Sequence, residues 1–121
     1  MSAEEAKAVA RGYYDAMNSR DLDAILDCYT DDAKTWVLGD GPFAGTHPVS
    51  RELLAGFLEA FEIRFTILSM ISEGNKVAFE VESDGTLAGK PYSNRYHNLI
   101  TVRDGKVAEL REYFDTAKAG G

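Results

Sequence analysis

The stretch Tyr92–Asp115, YSNRYHNLITVRDGKVAELREYFD, decides the fold. Apolar and polar residues alternate on both sides of Asp104-Gly105, a dipeptide suited to the positive φ angles that both central positions of a type I′ turn require. A hairpin closed there sets Arg103 opposite Lys106 and, counted outward without interruption, His97 opposite Glu112. One face then carries Arg95, His97, Leu99 and Thr101 against Ala108, Leu110, Glu112 and Phe114. The other carries Tyr96, Asn98, Ile100 and Val102 against Val107, Glu109, Arg111 and Tyr113. A histidine across from a glutamate, flanked by leucines and a phenylalanine, is the most chemically suggestive pair in the chain.

Two more turns extend the sheet. Gly74-Asn75 folds a strand at 63–73 onto one at 76–84, and Ala88-Gly89 leads into 92–103. Carried through these turns, the face of His97 and Glu112 gathers Phe65, Ile67, Ser69, Ile71, Ala78, Glu80 and Glu82. The opposite face gathers Leu68, Met70, Val77, Phe79, Val81 and the Tyr96 set. Both faces are substantially apolar, whereas a sheet solvated on one side alternates cleanly. One face is therefore expected to pack on helices and the other to meet a second copy of the chain, as a homodimer.

The helices come from the N-terminal half. Ser2-Ala3-Glu4-Glu5 is a capping box that starts a helix running to about Asn18, with Ala6, Val9, Ala10, Tyr13 and Met17 on one stripe. Asp21 caps a second helix with Leu22, Ile25, Leu26 and Tyr29 on its apolar side, ended by Thr30-Asp31-Asp32. Residues 34–38 read as a short strand around Trp36. Gly39–Pro48, with three Gly and two Pro, reads as a loop. Ser50 caps a third helix bearing Leu53, Leu54, Phe57, Leu58 and Phe61. The pattern is that of an α+β domain spanning 1–121, with three N-terminal helices on a curved, mainly antiparallel sheet and a frayed tail at 117–121.

The 121 residues are 45% hydrophobic with a net charge of −7 and no basic cluster, so nucleic acid and anionic membrane surfaces are poor partners. No apolar run approaches a membrane span. The lone Cys28 excludes an internal disulfide and reads as a small buried residue. The acidic N-terminus lacks a signal-peptide core, which makes a cytoplasmic location the expectation. Two separated histidines and one cysteine argue against a metal, and the absence of a Gly-rich phosphate loop argues against a nucleotide cofactor, so no cofactor is expected.

Three strings, ARGYYDAMNSRDLDAILDCYTDDA (10–33), PFAGTH (42–47) and GKPYSNRYHNLITVRDGKVAELREYFDT (89–116), resemble the NTF2-like superfamily, in its SnoaL-like, ketosteroid-isomerase-related branch. The resemblance covers nearly the whole chain and implies a cone-shaped fold. It admits isomerases, epoxide hydrolases, polyketide cyclases, dehydratases and non-enzymatic binding domains. Tyr13 falls at the oxyanion-donor tyrosine of ketosteroid isomerases, but Val37 falls at their carboxylate base, and the sheet aspartate falls near His97 or Asn98. Glu112 falls at the final-strand aspartate of limonene-epoxide hydrolases, whose R-x-D is here Glu80-Val81-Glu82. Polyketide cyclases of the branch take a pocket acid from the last strand, a position Glu112 can fill.

These readings give a candidate site. His97 and Glu112 form an acid/base pair, with Tyr13 as a further catalytic residue. Trp36, Glu80, Phe57, Phe61, Leu99, Leu110 and Phe114 line a pocket for a small apolar molecule. The function so implied is cofactor-independent isomerase, cyclase or hydrolase chemistry, with a non-catalytic binding or interaction domain as the alternative. A competing assignment of the faces stays open: Glu80, Glu82, Arg95, His97 and Glu112 as a salt-bridge network on a partly wet face, with Tyr96, Ile100 and Val102 under the helices. His47 reads as a solvated loop histidine, with a place at the pocket rim as the alternative, and Asp40 as a turn residue.

Overall fold

A computed structural model of the chain describes residues 2–118. Two helices open it. α1 (Ala3–Ser19) starts at the Ser2 capping box, with both reciprocal hydrogen bonds to Glu5 present, and α2 (Leu22–Asp27) is capped by Asp21. The chain continues through β1 (Tyr29–Val37), β2 (Gly45–Pro48) and α3 (Arg51–Ala60), the last capped by Ser50. Four strands complete it: β3 (Phe61–Glu73), β4 (Lys76–Leu87), β5 (Lys90–Arg103) and β6 (Lys106–Glu112). The α+β class holds, but only two helices are N-terminal, since α3 follows the first two strands.

The sheet has the order β2-β1-β6-β5-β4-β3, antiparallel throughout except for the β1–β6 pair. The three expected turns lie where their dipeptides place them. Residues 45–48, expected in a loop, instead pair with β1, and Tyr29 starts β1 instead of ending α2. Pro48 is tolerated because it closes an edge strand. Of the tail expected at 117–121, Ala117 and Lys118 turn back onto Asp115, and 119–121 lie outside the described residues.

Two β-bulges decide which side chains face inward. Val102 faces Val107, but Thr101 faces Glu109, Ile100 faces Leu110 and Leu99 faces Arg111, so Ala108 is one extra residue on β6. In β3 the register shifts between Ile67 and Ser69, leaving Leu68 extra. Each extra residue inverts the side-chain alternation beyond it. The inner face therefore carries Ile63, Phe65, Val77, Phe79, Val81, Tyr92, Asn94, Asn98, Ile100, Val102, Val107 and Leu110, all buried. The expected pairing of His97 with Glu112 does not form: His97 is exposed, and its amide donates to the Tyr113 carbonyl. Glu112 shares the inner face with Tyr96 and Asn98.

The helices cover that inner face. Ala6, Ala10, Tyr13, Tyr14 and Met17 of α1 are buried against it. Tyr14 sits edge-on to Tyr13, Phe65 and Phe79, an arrangement favoured by the ring quadrupoles, and its hydroxyl accepts from Asn98 Nδ2 at 3.1 Å. Asn18 uses its whole amide on the free edge of β3, donating to the Phe65 carbonyl at 2.9 Å and accepting its N–H at 2.7 Å. Arg20 closes the end of α3 through the Leu58 and Phe61 carbonyls. Gly85 permits the close packing of β4 on β3: its φ is +154° and a Cβ there would stand 2.1 Å from the Glu62 carbonyl oxygen.

Candidate functional site

Between α1, α3, the 38–44 loop and the inner face of the sheet lies a cavity of about 290 Å³. Nine aromatic side chains line it, which makes its surface largely apolar while leaving several phenol hydroxyls to act as polar contacts. Phe57 stacks on Phe61 at 4.7 Å, and Phe61 meets Tyr92 edge-on at 5.6 Å. Further in, Tyr96 lies 6.0 Å from Phe65 and 5.8 Å from Phe114. At the mouth, Phe43 reaches Phe61 from the loop and remains 46% exposed.

The polar groups among these rings are few. Glu112 projects from β6 beside Val37 of β1. Among the described residues its carboxylate has no hydrogen bond and no ion pair, and no Lys or Arg lines the cavity. Burial alone pushes the Glu112 carboxyl up to about 7. The Tyr29 hydroxyl donates to the Tyr13 hydroxyl at 2.7 Å. Burial holds both phenols well above their ordinary range, and the charge of Glu112 pushes the same way, so both remain protonated donors at neutral pH. Because Tyr13 accepts the Tyr29 proton, its own O–H is free to donate to a molecule in the cavity.

Of the expected site residues, Tyr13, Phe57, Phe61, Leu110, Glu112 and Phe114 line this cavity. His97, Trp36, Glu80 and Leu99 do not, because the Ala108 bulge and the strand alternation put them on the outer face. There Glu80 accepts from Ser69 Oγ at 2.9 Å and Arg95 pairs with Glu82 at 3.7 Å, one pair of the network in the competing assignment, from which Glu112 is absent because it lines the cavity. The Arg111 guanidinium lies 4.2 Å above the Trp36 ring on that side. Tyr29, Tyr96 and Thr35 are cavity residues that the sequence reading missed, and His47, read first as a solvated loop histidine, lines the cavity too. The phase of the apolar positions held a signal: Val107 and Leu110, like Ile67 and Met70, are three apart, which a strand of strict period two cannot bury together. Among the described residues no group of three or more His, Cys, Asp or Glu could hold a metal ion, and no helix is long and apolar enough to cross a membrane.

The SnoaL-like domain family matches residues 10–110. The chain belongs to that family. No curated protein matches it. Among solved structures, an NTF2-like protein from Anabaena variabilis is similar at 26% identity, with 95% of this chain and 92% of that one covered and a TM-score of 0.78. An NTF2-like protein from Burkholderia xenovorans is similar at 24% identity, with 99% and 96% covered and a TM-score of 0.78. TerC, co-crystallised with polyporic acid, shares the fold at 21% identity, with 96% and 95% covered and a TM-score of 0.81.

The upward shift at Glu112 is also a statement about stability. An ordinary glutamate loses its proton near 4.5, whereas the folded protein retains the Glu112 proton to about 7. Between those values the folded state binds the extra proton, so stability falls as pH rises, by about 3 kcal/mol in all. Glu112→Gln removes the titration. Its melting temperature relative to the wild type is expected to rise steadily between pH 4.5 and 7 and then level off; a difference independent of pH would contradict the burial of this carboxyl.

Proposed function

We propose that this SnoaL-like protein performs cofactor-independent acid/base chemistry, of the isomerase or cyclase kind, on a small uncharged apolar molecule held in the cavity. The observation that carries this reading is the unpaired Glu112 carboxyl on an aromatic wall. A group with its pKa near ambient pH exchanges protons in both directions at little cost, which suits a general acid/base. Tyr13, backed by Tyr29, supplies a hydrogen bond to an oxygen that gains charge as the proton leaves carbon. The lack of cations disfavours carboxylate or phosphate ligands, whose charge would go unmatched. That a protein of this fold has been co-crystallised with an organic molecule supports a ligand role for the cavity.

A fused-ring ketone such as 2-tetralone serves as a probe. Wild-type protein in deuterium oxide is expected to exchange the hydrogens next to the carbonyl, followed by proton NMR, at least about 100-fold faster than Glu112→Gln. Equal rates for the two proteins would remove Glu112 from the chemistry.

We further infer that the chain works as a homodimer through the outer face of the sheet. That face carries Trp36, Arg111, Leu99, Ala78 and Ile71 in a row across the strands, with Ile71 71% exposed and Tyr113 40% exposed, and among the described residues no helix covers it. Beside the row lie both Arg95 and His97 and Glu80 and Glu82, a mixture of charge that a two-fold axis can make complementary. Of the residues expected on this face, Tyr96 lines the cavity, while Asn98, Ile100, Val102 and Val107 are buried on the inner face. Sedimentation at micromolar concentration is expected to give a dimer for the wild type and a monomer for Leu99→Glu; a monomeric wild type contradicts the inference.

A further inference from the structure

The cavity holds a second proton-carrying side chain that the reading above does not use. His47 lies on β2, opposite Thr35 of β1, while Thr35 stands beside Leu110 and Val37 beside Glu112 on β6. His47 is thus two strands across and one inward position along from Glu112. At a strand spacing of about 4.8 Å and a rise of about 3.3 Å per residue, the two Cα atoms stand about 12 Å apart. Both side chains line the same space. The gap is too wide for a direct hydrogen bond and leaves room between the two side chains for a carbonyl group and the carbon next to it.

The orientation of the imidazole is fixed. Its Nε2 lies 2.9 Å from the Ala44 carbonyl oxygen. A carbonyl only accepts, so Nε2 carries the hydrogen and Nδ1 keeps its lone pair. Among the described residues nothing donates to that lone pair. With Nε2 tied to the Ala44 carbonyl, Nδ1 is the basic nitrogen of a ring that lines the same cavity as Glu112.

We propose that His47 is the second proton-transfer residue of this site, acting on the carbon next to the carbonyl of an enolisable ketone whose carbonyl oxygen is held at Glu112. The proposal rests on the acid/base reading of Glu112. A C–H bond of the ketone breaks and its proton passes to His47 Nδ1. The electron pair left on carbon forms a C=C bond, the C=O π pair moves to oxygen, and the oxygen takes the Glu112 proton. Enol, imidazolium and carboxylate result. Return of the protons to their origins exchanges the hydrogen with solvent, and delivery of the imidazolium proton to another carbon of a conjugated ligand moves the double bond. Both residues end as they began, and no oxidant or reductant is consumed.

The test follows 2-tetralone exchange in deuterium oxide together with ketone binding, read by saturation-transfer NMR. His47→Gln retains an N–H for the Ala44 carbonyl but has no basic lone pair. It is expected to bind the ketone within about two-fold of wild type and to exchange it at least about 100-fold more slowly. His47→Ala is expected to recover exchange when imidazole is added, which a merely structural role would not allow. His47→Gln exchanging at the wild-type rate while Glu112→Gln does not overturns the role of His47 and leaves that of Glu112. Loss of ketone binding in both His47 variants makes the residue a pin for the loop and also overturns the proposal. A wild type that binds the ketone without exchanging it overturns the reading of Glu112, and this proposal with it.

Discussion

One extra residue in the last strand organises the site. With Ala108 bulged out of the β5–β6 ladder, Glu112 and Phe114 turn to the side of the sheet that the helices cover. Without the bulge, a strict alternation from the Asp104-Gly105 turn would seat Glu112 beside His97 in water. Side chains in a strand have only two directions, so the choice is binary and its consequence large. The same device in β3, at Leu68, turns Phe65 inward against Tyr14 and Tyr96. The cavity is the space left where two bulged strands, α1 and α3 cannot meet.

Burial then decides the chemistry. A carboxyl in water is an ordinary acid, spent at neutral pH. Surrounded by Tyr13, Tyr29, Tyr96 and Phe114, with no cation to hold its charge, Glu112 keeps its proton to about 7. The protein bears that destabilisation at neutral pH, and buried unpaired carboxyls are found where function requires them. The tyrosine pair adds a directed donor, since each phenol hydroxyl has one proton and Tyr29 gives its own to Tyr13. The outer face shows the opposite pattern. His97, Glu80, Glu82 and Arg95 are wet, paired or exposed, and an acid/base role for them has no enclosed space to act in.

The sequence made the helix starts and the turns legible, because each depends on a few local residues: Ser2 with Glu5, Asp21, Ser50, and the glycines at 74, 89 and 105. The inner set from Met70 through Val81, with Tyr96, Ile100 and Val102, was legible as a group for the same reason, since it lies between the bulges. Its placement under the helices was one of two open assignments. Glu112, Tyr13, Phe57, Phe61, Leu110 and Phe114 line one cavity, while His97, Trp36, Glu80 and Leu99 were drawn to it by a register that the bulge breaks. Strand β2 went unseen because Gly45 and Pro48 carry the composition of a loop, and its pairing to β1 is a tertiary matter. With β2 unseen, His47 could not be set on a strand opposite Thr35.

The chemistry of the cavity depends on the state of one carboxyl. With glutamate side chains labelled at the carboxyl carbon, a ¹³C NMR titration of the intact protein, assigned through Glu112→Gln, reads that state directly. The structure predicts a Glu112 midpoint at about 7, far above the ordinary glutamate value near 4.5. A Glu112 midpoint at that ordinary value would mean that the carboxyl stands in water and is spent as an acid at neutral pH.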